Sequence, residues 1–227
     1  ALPPAMLASQ YDLAVAQAWV QYLAGDVPSA VRFAAIAAEL GPRDPAERLG
    51  LVMLESFLAI GRRDLAAARD HSTLALSLLG TAQPTQRALL LLSLAQLQWL
   101  AGDQSALATA REAVAAARET TSPLLAASTR ELLVGLLLAA GRRREAETVC
   151  RQAIAAAGSE SPFSADLIGM GQIRYEAGDT AAALVMLEAG MQAAQSRGPA
   201  TSILTGGLVQ ALALADVGRA ADAPAAL

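Results

Sequence analysis

A chain of 227 residues with 54% hydrophobic but only 4% aromatic side chains, roughly a quarter of it alanine, suits many closely packed helices and little of a sheet. The net charge is -4, and all 17 basic residues are arginine, which excludes a phosphate-loop lysine, a Schiff-base lysine and a Ser-Lys dyad. Cys150 is the one cysteine, so no internal disulfide forms and a reducing, cytoplasmic setting fits.

Taken in chain order, the pattern predicts helices in alternating A and B positions. The A helices are expected over 8–24, 45–60, 84–101, 123–140, 162–177 and 199–217. The B helices fall over 27–40, 64–79, 104–119, 143–157 and 180–196, with a sixth starting near 220. The A-to-B turns carry Gly25, Gly61, Gly102, Gly141, Gly178 and Gly218, at intervals of 36, 41, 39, 37 and 40 residues. Each glycine follows an apolar run and is followed by Asp or Arg, so each is expected to end its helix with positive φ. Five residues further on stand Ala30, Ala66, Leu107, Ala146, Ala183 and Ala223, a register where two helices approach closely.

A second ladder, Pro45, Pro84, Pro123, Pro162 and Pro199, starts the A helices at intervals of 39, 39, 39 and 37 residues. Asp44, Ser122 and Ser161 precede three of these prolines as expected N-caps. Two ladders of one period define six helical hairpins, of which the odd and even ones differ in their A-helix ends. The chain stops inside what should be the last helix, so we expect a single repeat domain over 1–227 cut from a larger polypeptide. None of its apolar runs is long and uninterrupted enough to span a bilayer.

The Gly-Asp and Gly-Arg turns, the alanine five positions later and the proline closing each unit resemble the tetratricopeptide repeat, although units of 36 to 41 residues exceed its usual 34. Segments such as Gly171-Gln172-Ile173-Arg174-Tyr175-Glu176-Ala177-Gly178-Asp179 and Leu187-Glu188-Ala189-Gly190-Met191 are similar to one group. That group is the superhelical sensor region of LuxR-type bacterial transcription regulators of the maltose-activator kind. The resemblance implies an all-α, right-handed solenoid that binds an effector or partner domain in its concave groove. It also implies that nucleotide and DNA contact belong to other domains, the latter to a helix-turn-helix. A small-molecule effector, a peptide or partner domain, and homo-oligomerisation are the implied partners, with no cofactor, no membrane and no direct nucleic-acid contact by this chain. A general tetratricopeptide scaffold is the alternative.

Residues six and three before each turn glycine are expected to face the groove. The first set is Trp19, Glu55, Gln96, Gly135, Gln172 and Leu212; the second is Tyr22, Leu58, Trp99, Leu138, Tyr175 and Ala215. Trp99 with Gln96, and Tyr175 with Gln172, pair a ring with an amide one turn apart. Such a pair suits stacking plus hydrogen bonding to a sugar or peptide. The same rings equally suit gap filling between hairpins. Binding candidates are therefore Trp19, Tyr22, Glu55, Gln96, Trp99, Gln172 and Tyr175.

No nucleophile–base pair or metal-ligand spacing stands out, so no enzyme is expected. His71 reads as a hydrogen-bonded surface histidine and Cys150 as a buried structural thiol. Glu145 and Glu147, two apart, do not face each other on a helix. Gly169, Gly171 and the Gly206-Gly207 pair read as close helix packing, and the Arg142-Arg143-Arg144 run as a solvated helix start or an anion contact.

Overall fold

The computed structural model describes residues 10–79, 83–157, 163–197 and 200–222. Among these there are eleven α-helices and no strand, as the composition requires. In chain order they are α1 (Tyr11–Leu23), α2 (Val27–Leu40), α3 (Pro45–Gly61), α4 (Leu65–Leu79), α5 (Pro84–Leu100), α6 (Ala106–Arg118), α7 (Pro123–Ala139), α8 (Arg143–Ala157), α9 (Ser164–Glu176), α10 (Thr180–Arg197) and α11 (Ala200–Asp216). The eleven helices predicted up to residue 217 are all there to within three residues; the sixth B helix, expected from near 220, falls largely outside the described residues. Pro162, Pro199, Ser161 and Ala223 lie outside the described residues.

Side-chain caps mark the starts of α3, α7 and several B helices, whereas α1, α5 and α9 begin without one. The Asp44 carboxylate accepts from the amides of Ala46 and Glu47, with Pro45 at the first helical position; Ser122 accepts from Leu125 ahead of Pro123. At the A-to-B turns, Asp26 accepts from Ser29, Asp64 from Ala67, Asp103 from Ser105 and Asp179 from Ala182.

The helix ends repeat one hydrogen-bond pattern. The amide of Gly102 donates to the Trp99 carbonyl and that of Asp103 to Gln98, with Gly102 at φ 71°. One turn departs from the expectation: Gly61 stays helical, and Arg63 takes the left-handed place at φ 60°. There Arg63 donates to Ile60 and Asp64 to Ala59, the same pattern moved by two residues. Intervals of 36 and 41 thereby become 38 and 39. Consequently the small buried residue of the second hairpin is Ala68, while Ala66 is exposed; Ala30, Ala146 and Ala183 are buried as expected. In the third hairpin α6 starts two residues late, so Ala106 is buried and Leu107 only half so.

The chain forms two compact units, residues 1–109 and 110–227. In the first, α1 packs on α2, α3 on α4, and α1 on α3. Its core joins Ala14, Ala18, Ala30, Leu54 and Leu58. A buried Ser56 hydroxyl shares a 2.7 Å hydrogen bond with Ser72 and reaches the Ala68 carbonyl, tying α3 to α4.

In the second unit, α7 packs on α8 and α9, and α9 on α10 and α11. Here glycine sets the helix spacing. A Cβ at Gly171 would lie 2.7 Å from Leu187, one at Gly190 2.8 Å from Ile168, and one at Gly206 2.6 Å from the Met191 sulfur. Between α7 and α9 the Arg130 guanidinium forks onto Asp166, Nε to Oδ1 at 2.8 Å and Nη2 to Oδ2 at 2.6 Å, and Asp166 is only 3% exposed. No helix among the described residues is long and apolar enough to cross a membrane.

Candidate functional site

In the first unit the A helices α1, α3 and α5 carry five of the six aromatic residues, the sixth being Phe33 of α2. Trp19 and Tyr22 are half-buried on α1, their rings edge-on with centroids 6.0 Å apart. Phe57 of α3 completes the group, 5.4 Å from Trp19 and 6.1 Å from Tyr22. Trp19 and Tyr22 lie against the core and Phe57 against the two of them, so the rings both join the first hairpin to the second and keep part of their faces in water.

Phe57 was not among the sequence-derived candidates, and the shifted turn is the reason. Six residues before Arg63 is Phe57, the counterpart of Trp19; six before Gly61 is Glu55. Glu55 instead faces α4, where a carboxylate oxygen stands 3.3 Å from Nδ1 of His71. Together with Val31, Ala34, Leu58 and Arg62 the pair lines a cleft of about 180 Å³ between α2, α3 and α4. His71 is thus the partnered, half-buried surface residue expected. Leu58, also expected on the groove side, is 3% exposed and belongs to the core, again because its register was counted from the wrong turn residue. On α5, Gln96 and Trp99 are both exposed one helical turn apart, Trp99 to 50%.

In the second unit Gln172 and Tyr175 sit half-buried on α9. The Gln172 amide donates to Glu176 at 2.9 Å. The Tyr175 hydroxyl donates to Asp216 at 2.8 Å, which raises its pKa above the ordinary tyrosine value and links α9 to α11. Its ring packs against the core around Leu187 and Ala213. Leu212 and Ala215 of α11 are exposed, Leu138 is half-buried, and Gly135 faces open space.

Cys150, Glu145 and Glu147 have structural surroundings of their own. Cys150 is buried between α8 and α9, its sulfur 3.0 Å from where a Gly169 Cβ would lie, and burial pushes its thiol pKa up to about 12. Glu145 turns to Arg111 and Arg142, whereas Glu147 turns to Arg151 and Arg174. No trio of His, Cys, Asp or Glu able to hold a metal occurs among the described residues.

No protein-family model matches the chain. No curated protein matches it either. Its fold, however, is found among solved structures. The apo form of the quorum sensor NprR from B. thuringiensis superposes with a TM-score of 0.69 at 14% identity, over 94% of this chain and 61% of that one. The apo form of RapI gives 0.66 at 11% identity, over 95% and 60%. PilW, a type IV pilus biogenesis factor, gives 0.66 at 15% identity, over 95% and 90%. The chain therefore has a tetratricopeptide-like helical-repeat fold, and spans about three fifths of the NprR and RapI chains.

Proposed function

We propose that this chain is the effector-binding module of a bacterial regulator, holding an extended peptide or small molecule on its A-helix face. The observation that carries the reading is the aromatic surface of the first unit: Trp19, Tyr22 and Phe57 half-exposed, with the Trp99–Gln96 pair in water on α5. Rings that keep a free face, beside an amide, supply stacking area and hydrogen bonds at low entropic cost. A structure of NprR in complex with its cognate peptide NprX shares the fold at a TM-score of 0.65, which supports a peptide as the first class to test. The repeat segments resembling maltose-activator-like regulators extend the proposal to a LuxR-type transcription regulator. In it, a bound effector shifts the module's contacts with a partner domain, and a helix-turn-helix elsewhere contacts DNA.

The module acts by binding rather than catalysis in this reading, since the thiol is buried and the imidazole is engaged by Glu55. The test is a thermal-shift and tryptophan-fluorescence screen against short peptides, oligosaccharides and amino acids, followed by Trp99→Ala. A saturable shift that Trp99→Ala removes without loss of helical signal is expected. Binding unaffected by Trp99→Ala and Phe57→Ala would sink the A-helix assignment.

A scaffold for protein assembly is the second reading. The likeness to PilW favours it, because the match spans 90% of that chain. Binding of peptides from one partner protein, with no small molecule active, would select it.

A further inference from the structure

We propose that the turn between α7 and α8 is a second binding site, for an acidic segment of a partner protein. It does not rest on the aromatic face of the first unit. The site is an open cleft of about 520 Å³ lined by Leu138, Arg142, Arg143, Arg144, Glu145 and Glu176.

The charges around it do not balance. Glu145 is shared by Arg111 and Arg142, and Glu147 by Arg151 and Arg174, while the Glu176 carboxylate accepts from the Gln172 amide; with Arg143 and Arg144, six guanidiniums meet three carboxylates. Among the described residues the Arg143 side chain reaches a main-chain oxygen, that of Glu176 at 3.4 Å, and no carboxylate. Arg144 has no carboxylate partner among the described residues, and both Arg143 and Arg144 are exposed. On a chain of net charge -4, this is a local surplus of positive charge with room beside it. Planar guanidiniums favour carboxylates, which they can grip in pairs.

The turn itself argues for a carboxylate. Arg142 donates its amide to Leu137 just as Asp103 donates to Gln98 and Asp179 to Arg174, so it holds the aspartate's place. Where those aspartates cap the following helix, Arg142 instead turns its side chain to Glu145. Three cations at a helix start oppose the dipole, and an incoming carboxylate relieves that repulsion. Leu138 gives the cleft an apolar wall for the stem of an acidic residue, so a glutamate-rich segment fits better than a bare anion.

The experiment measures fluorescence anisotropy of a short fluorescein-labelled polyglutamate peptide with the whole chain at low ionic strength, beside labelled polylysine and free inorganic phosphate. Saturable binding of polyglutamate alone is expected, lost at about 0.3 M salt, where screening reaches within a few ångström. The variant R142Q/R143Q/R144Q should bind about tenfold more weakly. The variant R32Q/R48Q/R69Q, which removes the same charge from the first unit, should bind as the parent does. Because the Arg144 side chain has no ion pair or hydrogen bond among the described residues, R144Q alone should weaken binding with unchanged helical signal and Tm. Equal loss in the two triple variants, no loss in R142Q/R143Q/R144Q, or no saturable binding overturns the proposal. Displacement of the peptide by phosphate at matched concentration also overturns it, in favour of a small-anion site.

Discussion

The indole of Trp19 and the ring of Phe57 meet edge-on with centroids 5.4 Å apart, and each stands six residues before the left-handed residue that ends its helix. They are one position of the repeat, seen in two successive hairpins and stacked on itself. Phe57→Ala should therefore loosen the first hairpin from the second, lowering stability by about 2 kcal/mol for a half-buried ring. Urea titration gives the loss, and a red shift of Trp19 emission before global unfolding identifies the seam. An unshifted midpoint would mean that the rings serve the surface alone.

Arg63 carries a backbone conformation that glycine adopts freely, at φ 60°. A side chain there costs roughly 1–2 kcal/mol. Arg63→Gly should raise stability by about 1 kcal/mol after the entropy of a more flexible unfolded chain is set against it. Gly102→Ala, at the equivalent place, should lower it by a similar amount. Calorimetry on the two variants should give Tm shifts of opposite sign.

Helix spacing around α9, α10 and α11 leaves no room for a methyl group at Gly171, Gly190 or Gly206. A Cβ at Gly190 would stand 2.8 Å from Ile168 and 3.1 Å from that residue's backbone nitrogen, which cannot move aside. Gly190→Ala should cost about 1–3 kcal/mol despite improving helix propensity, and Ala146→Leu a similar amount by overpacking a site of zero exposure. Gly135→Ala meets open space and should stabilise by up to about 1 kcal/mol. Chemical denaturation of the three separates packing from propensity.

Acid should destabilise the first unit. The Ser29 hydroxyl and amide hold Asp26 below the usual carboxylate range, the Ser105 amide and hydroxyl do so for Asp103, and the Arg43 guanidinium does so for Glu47. Folded values below the unfolded ones add stability that is complete above the unfolded pKa and disappears as pH falls through the folded pKa. Tm should stay level from neutral pH to about 5 and decline below about 4, where free carboxylates take up protons. Asp103→Ala should lower Tm at neutral pH and flatten that decline.

How much of this was legible beforehand differs from hairpin to hairpin. Proline, capping residues and turn glycines located the helices because each acts within a few residues of itself. Gly61-Arg62 imitated a turn, yet the chain bends two residues later, where Asp64 caps α4. The uneven intervals of 36 and 41 were the available clue, since moving the turn evens them. That single slip placed Glu55 and Leu58 in the groove register and hid Phe57. Ring contacts and shared carboxylates were not legible at all, because Trp19–Phe57 and Arg111–Glu145 join residues more than 30 apart.

The buried fork between Arg130 and Asp166 bears on how such a chain finds its own order. Alanine-lined hairpins of nearly equal length offer one another almost interchangeable faces, and a growing chain could dock the fourth on the wrong neighbour. Hydrophobic contact alone would scarcely object. A misplaced hairpin, however, would leave the Asp166 carboxylate enclosed without its guanidinium, at a cost of about 3–5 kcal/mol. The pair therefore favours arrangements that bring α9 beside α7 over those that part them.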